Sequence, residues 1–277
     1  VFVDSDNNVW IASDQGGLNL YQAHSDDFLR LQHNPFDPNS LASNQVRTVG
    51  EDSHGNIWVG TFPLGVAILE SSAKYFKNYS HVANDPNSLS DNAVLNFSED
   101  RDGIIWIGTE NGVNAFNPKT SSFKRYLPDK NVAQGLQHSA ILAVQEDTSG
   151  DIWLGTWSGG LYKLNKKNDT FTHYTHKPKD KTSIADDYIW TIMRDSADNI
   201  WIGTEYSGLD RYESTTNSFT HFTNLGFQEP GSIGPFVWDI MESSQQDIWV
   251  ATLNGLSIMR PHQQSSRTDN SSTLRDY

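Results

Sequence analysis

The chain has 277 residues, with 34 acidic against 20 basic side chains for a formal net charge of −14, and no cysteine. That length is enough to bury a large core. The acidic balance excludes nucleic acid and anionic membrane as partners, because both demand a basic surface. Without cysteine there is no disulfide framework, which fits the periplasm or cell surface and the cytosol alike. No apolar run approaches the roughly 18 residues of a membrane-spanning helix, and no basic-then-apolar leader stands at the N-terminus. The chain opens without Met on VFVDSDNNVW, in the middle of a pattern that recurs later, so a piece of a longer protein or a processed product is expected.

The first predicted elements are a remnant of an inner strand at Val1–Asp4, a DSDNN turn, and the strand VWIAS at Val9–Ser13. GLNLY and FLRLQ follow as two more strands. The second copy is complete. Gln45–Glu51 is a short β-rich run, and Asp52–Asn56 (DSHGN) has turn chemistry, with Asp to bond back to the backbone and Gly for a positive φ. Ile57–Thr61 (IWVGT) is a dense β-branched and aromatic strand, Val66–Leu69 a third, and Tyr75–Tyr79 (YFKNY) a fourth with period-2 aromatics. A polar link, HVANDPNSLSDN, leads into the next copy.

The same order recurs through IWIGT at Ile105–Thr109, IWLGT at Ile152–Thr156, IWIGT at Ile200–Thr204 and IWVAT at Ile248–Thr252. The marker tryptophans are Trp10, Trp58, Trp106, Trp153, Trp201 and Trp249, so the phrase returns at an almost constant interval. No segment sustains a 3.6-residue period, so almost no helix is predicted. Four antiparallel strands per repeat of this length predict an all-β fold, a β-propeller of four-stranded antiparallel blades with six recognisable repeats. The first repeat lacks most of its inner strand. The sixth has no aromatic outer strand after Arg260, and PHQQSSRTDNSSTLRDY reads as polar. The expected layout is a propeller over residues 1–260 and a polar tail or linker over 261–277. It would form either an open arc or part of a larger ring.

The composite pattern ED–xxGN–IWIGT–xxGGLYRY–xxxxFxxY–PxxxxSLxxNxV resembles the two-component-regulator propeller repeat, over roughly Val1 to Arg260. The resemblance implies the periplasmic or extracellular sensor region of a membrane receptor, such as a hybrid histidine kinase or a diguanylate cyclase, and often a saccharide ligand. It also implies further propeller repeats, transmembrane and output domains in the same protein, and dimerisation.

Residues that recur in every copy read as scaffold, and those that break the pattern read as candidates for function. The repeated Trp is expected to pack between blades. The Asp-rich turns read as hairpin chemistry, since a calcium loop starting at Asp100 would put Asn111 at its twelfth position. The pairs Glu51–Asp52, Glu99–Asp100 and Glu146–Asp147 point to opposite strand faces and read as scaffold. His33, His81 and His176 are equivalent positions, as are His173 and His221, so they spread around the rim and no metal site is expected. No cofactor is expected either.

Two variable sets remain. The turn after each IWIGT-type strand carries Phe62, Glu110, Trp157, Glu205 and Tyr206 among others. The lead-in to the inner strand carries, at equivalent positions, Arg47, Leu95, Leu142, Trp190 and Trp238, with Asp239 just after the last. In propellers these two segments commonly open on one face. The candidate ligand-binding residues are therefore Arg47, Phe62, Glu110, Trp157, Trp190, Glu205, Tyr206, Trp238 and Asp239. Aromatic surface beside charged groups suits an oligosaccharide or similar polar ligand. The competing reading for Trp190 and Trp238 is that they fill a narrow channel. For the whole segment the alternatives are an interaction scaffold without a small ligand, and a propeller glycosidase or lyase using Glu110, Glu205 and Asp239.

Overall fold

The computed structural model describes residues 1–73, 75–222 and 234–259, together with the backbone of 275–276. Among the described residues there is no helix, and the strands form six four-stranded antiparallel sheets. The first strands are Phe2–Val3, Val46–Glu51, Val94–Glu99, Ile141–Glu146, Ile189–Arg194 and Val237–Glu242. The second strands are the IWIGT-type segments, from Val9–Ser13 to Ile248–Thr252. The third strands are Gly17–Gln22, Gly65–Leu69, Gly112–Asn117, Leu161–Asn165, Leu209–Glu213 and Gly255–Met259. The fourth are Asp27–Leu31, Phe76–Tyr79, Ser122–Tyr126, Thr170–Tyr174, Ser218–Phe222 and Arg275–Asp276. Each sheet is a simple meander of the blade type.

The chain divides into two compact units, Val1–Asp129 with Ser139–Ile141, and Lys130–His138 with Leu142–Tyr277. Within each unit the core lies between consecutive sheets. In the first, Trp10, Leu18, Val46 and Val59 form one cluster, and Trp58, Val66, Val94 and Ile107 the next. In the second, Trp153 packs with Leu161, Ile189 and Ile202, and Trp201 with Leu209, Val237 and Val250. The repeated Trp is therefore a packing residue, as its recurrence implies.

The repeated glycine of IWIGT has a steric cause. A Cβ on Gly155 would lie 2.6 Å from Ile189 Cγ2, and one on Gly203 would lie 2.7 Å from Val237 Cγ1. The next sheet's inner strand presses directly onto the second strand at this point. Ala12 and Ala251 take the equivalent place in the first and last sheets.

The Asp of each turn does two jobs. In the first sheet Asp4 Oδ1 accepts the backbone N–H groups of Asp6 and Asn8, and Oδ2 accepts the indole N–H of Trp10 at 2.7 Å. The same carboxylate-to-indole bond joins Asp52 to Trp58, Asp100 to Trp106, Asp147 to Trp153 and Asp195 to Trp201. This is hairpin chemistry with a buried anchor. The neighbouring Glu has a different use. Glu51 accepts both the backbone N–H and the hydroxyl of Ser5, Glu99 those of Ser53, and Glu242 those of Ser196. Each carboxylate latches one sheet to the preceding one, so the acidic pairs belong to the scaffold. His33, His81 and His176 likewise hold the loops before the inner strands, each through Nδ1 to a backbone carbonyl.

Most of the expected tail at 261–277 lies outside the described residues, but Arg275–Asp276 pair with Ser257 and Ile258 as the fourth strand of the last sheet. Backbone pairing needs no aromatic pattern, so this short strand left no sequence signal.

Candidate ligand-binding site

The two variable segments meet for a backbone reason. A carbonyl just ahead of the inner strand accepts the N–H of the first turn residue after the IWIGT-type strand. This bond joins Phe62 to Gln45, Glu110 to Ala93, Glu205 to Tyr188 and Leu253 to Phe236. Within each of these sheets the turn is tied to the lead-in of the inner strand.

The lead-in also carries a β-bulge. Register shifts between Val46 and Thr48, between Ile189 and Thr191, and between Val237 and Asp239. Arg47, Trp190 and Trp238 are the residues left unpaired. A bulge kinks the strand and re-aims the extra side chain, and bulges concentrate beside functional sites. The variable position thus has a geometric meaning: it is freed from the ladder.

In the first unit the guanidinium of Arg47, an exposed residue, lies 5.4 Å from the centroid of the Phe62 ring. Glu110 is exposed in the same unit and stands apart from that pair. A separate recess of about 390 Å³ is lined by Phe2, Gly50, Glu51, Phe97 and Glu99 among others. Its two glutamates are already engaged by Ser5 and Ser53.

The second unit holds the larger constellation. Tyr206 meets Tyr188 at a centroid distance of 5.5 Å, Tyr188 meets Trp157 at 5.6 Å, and Trp157 meets Trp190 at 5.6 Å. Trp190 then meets Phe236 at 5.1 Å and Trp238 at 5.2 Å. Six rings form one continuous row. Tyr206 is 61% exposed, Trp238 45% and Trp157 43%, so the row opens to solvent along its length. Trp238 is too open for a simple channel plug, while Trp190 is half-buried between its neighbours.

Carboxylates frame the row. Asp186, buried, accepts the backbone N–H of Tyr188 at 3.1 Å through Oδ1 and that of Tyr206 at 2.8 Å through Oδ2. The Glu205 carboxylate beside the Tyr206 phenol holds that hydroxyl above its ordinary range. Glu205 Oε2 is buried and meets no donor. Asp239 is exposed, and desolvation by the protein around its carboxyl raises its pKa against the lowering bond from the Ile240 N–H.

Of the expected residues, Trp157, Trp190 and Trp238 come together directly, Tyr206 joins them through Tyr188, and Arg47 with Phe62 form their own pair. Tyr188 and Phe236 were missed by sequence reasoning. They occupy equivalent positions just ahead of the inner strand, where other copies carry Gln45, Ala93 and Ala140. That variation was the available signal.

Behind the row, the buried Asp210 holds the lead-in through the Ala185 N–H at 2.8 Å and pairs with His221 Nδ1 at 2.6 Å. Burial pushes the Asp210 carboxyl up, against His221 and Ala185 which favour its charge. The short bond to Asp210 is the main cause that raises the His221 pKa. Elsewhere Tyr162 and His138 share a hydrogen at 2.6 Å, and His173 stacks on Tyr162 at 4.0 Å. Among the described residues no group of three or more His, Cys, Asp or Glu side chains is placed to hold a metal ion.

The extracellular domain of a hybrid two component system from B. thetaiotaomicron is similar at 24% identity and a TM-score of 0.79, over 95% of this chain and 33% of that one. A second such domain from the same organism gives 20% identity and a TM-score of 0.60, over 91% of this chain and 38% of that one. A virginiamycin B lyase from Staphylococcus aureus gives 15% and 0.61, over 84% of this chain and 69% of that one. At these identities the likeness shows the fold, and the chain spans about a third of the length of the two extracellular domains. No curated protein matches the chain. Residues 40–62, 88–111, 135–158 and 183–206 match the family described as Two component regulator propeller. Each match runs from the loop before the inner strand to the turn after the IWIGT strand, so four copies of the unit that recurs along the sequence match that family's repeat.

Proposed function

We infer that this segment is the ligand-sensing part of a signalling receptor, exposed in the periplasm or outside the cell. The row of rings in the second unit is its ligand site. The observation that carries this reading is the six-ring row with three rings open to solvent, set on bulged strand ends and turns. Apolar ring faces beside fixed carboxylates suit a saccharide or similar polar ligand, which offers C–H faces and hydroxyls together. The repeat family and the likeness to extracellular sensor domains support the receptor setting. In that setting the segment binds and does not catalyse. Its signal reaches a kinase or cyclase module elsewhere in the protein by shifting populations of receptor arrangements, with a homodimer as the working assembly.

Trp157→Ala and Tyr206→Ala test the site. Both rings are exposed, so their removal is expected to lower saccharide affinity while leaving the melting temperature nearly unchanged. Calorimetric titration against an oligosaccharide panel, with a thermal scan of each variant, reads both quantities. An equal loss of stability in the two variants would make them packing residues and remove the site. Turnover of any panel member, abolished by Glu205→Gln, would replace sensing with catalysis.

A further inference from the structure

The geometry points to a cationic ligand for the ring row: a saccharide that carries a protonated amino group. This rests on the reading of the row as a ligand site and adds the charge of what it takes.

The first observation is the orientation of the rings. Tyr206 and Tyr188 meet at 81°, Tyr188 and Trp157 at 85°, Trp157 and Trp190 at 62°, and Trp190 and Trp238 at 87°. These rings stand edge to face, so the row is a series of corners and not a flat platform. A small group seated in a corner meets two π faces at once. Those faces carry the negative part of the ring quadrupole, which attracts ammonium groups.

The second observation is that no lysine or arginine side chain among the described residues covers this row. Elsewhere its cations lie against rings of the sheets: Lys77 over the half-buried Tyr79 at 5.2 Å, Lys163 over the buried Trp153 at 5.2 Å, and Arg211 over the buried Trp201 at 5.6 Å. Among the described residues no lysine or arginine lies over the six rings of the row. None forms an ion pair with Asp186, Glu205 or Asp239 either.

The third observation is the charge that remains. Asp186 is fixed as an acceptor by two backbone N–H groups, and Glu205 keeps one buried oxygen with no donor beside Tyr206. An acceptor oxygen left without a donor away from water is costly, and a donor brought by a ligand relieves that cost. A neutral sugar offers hydroxyls only. An anionic sugar meets like charge, on a chain whose formal net charge is already −14. A protonated amino sugar offers the rings its C–H faces and gives its ammonium to the corners and the carboxylates.

The test is isothermal titration of the whole chain at about pH 6 and low salt with three trisaccharides of matched linkage. These are a β-1,4 glucosamine trimer, its fully N-acetylated form, and cellotriose. The glucosamine trimer is expected to bind about tenfold more tightly than either of the others, in line with a cation–π and charge contribution of ~1–2 kcal/mol. The gap is expected to narrow in about 0.5 M NaCl, where charges are screened. Glu205→Gln should reduce the ratio of glucosamine-trimer to cellotriose affinity, and Asp239→Asn, which keeps an acceptor for the Ile240 N–H, serves if the first variant folds poorly. Equal affinities for the three sugars, or preference for the acetylated one, would overturn the cationic ligand while the saccharide site stands. No binding of any of them, or binding indifferent to Trp157→Ala, would remove the site itself and this inference with it.

Discussion

Ser243 sits where five other turns carry Asp, and one oxygen is what it lacks. Its hydroxyl accepts from the N–H groups of Gln245 and Asp247, as the first Asp oxygen does in the other turns. No second oxygen reaches the indole, and the Trp249 N–H is buried without a partner. Ser243→Asp is expected to supply that acceptor and raise stability by about 1 kcal/mol, the lower end of the cost of an unmet buried donor. Urea unfolding of the two proteins checks it, and an unchanged midpoint would mean that the last sheet opens to water at this point. A second residue-scale consequence concerns His221. Its pKa is raised chiefly by Asp210, so its protonated form favours the folded state. That contribution is complete below the unfolded value of about 6.5 and is lost as pH rises through the folded value. The stability gap between the native protein and His221→Gln should therefore shrink as pH is raised from about 6 to 9. A gap that stays constant would show that the imidazole acts by packing alone. Asp210→Asn should remove the pH dependence and keep the Ala185 bond, since Asn114 makes the matching bond to Ser90 in the third sheet.

At the scale of the element, consecutive sheets within each unit are joined by three devices: a tryptophan in the shared core, a glycine that lets the next inner strand close in, and a glutamate latch. Gly155→Ala tests the second. Its Cβ would stand 2.6 Å from Ile189 Cγ2 and 3.2 Å from the Ala143 Cβ, so the two sheets must part. The expected loss is about 1–3 kcal/mol, the usual cost of overpacking, read from thermal or urea unfolding. A loss below a few tenths would mean that the contact relaxes freely. The latch was half legible beforehand. Repetition marked Glu51 and Glu99 as scaffold, but their partners, Ser5 and Ser53, stand almost a full repeat upstream and no local pattern links them. The bulges were legible in the same partial way. Variation at Arg47, Trp190 and Trp238 flagged the position, yet the register shift behind it depends on the paired strand.

For the whole molecule, charge is the property that acts across all the sheets. A formal net charge of −14 loads the compact state with self-repulsion. Raising NaCl from about 10 to 200 mM shortens the Debye length from about 30 Å to below 10 Å and screens that repulsion. The melting temperature is expected to rise, by about 2–4 °C for each kcal/mol gained in a chain of this size. A flat or falling response in scanning calorimetry would show that local pairs, such as Lys163 with Asp147 and Asp151, outweigh the net charge.

The repeat alone determined the sheets. A phrase that returns at an almost constant interval, with alternating apolar positions and turn residues at fixed offsets, leaves one economical reading of each copy, because local hydrogen bonding and side-chain alternation repeat with it. It also separated scaffold from candidate site, since only departures from the pattern are free to serve a ligand. Which departures come together was decided by the tertiary structure. Trp157, Trp190 and Trp238 belong to three successive copies of the repeat, yet their rings touch in turn. Tyr188 and Phe236 join them through positions that looked unremarkable in the other copies. The reason is physical: a ligand site is a matter of distance and orientation across neighbouring sheets, and these depend on how strands bulge and pack.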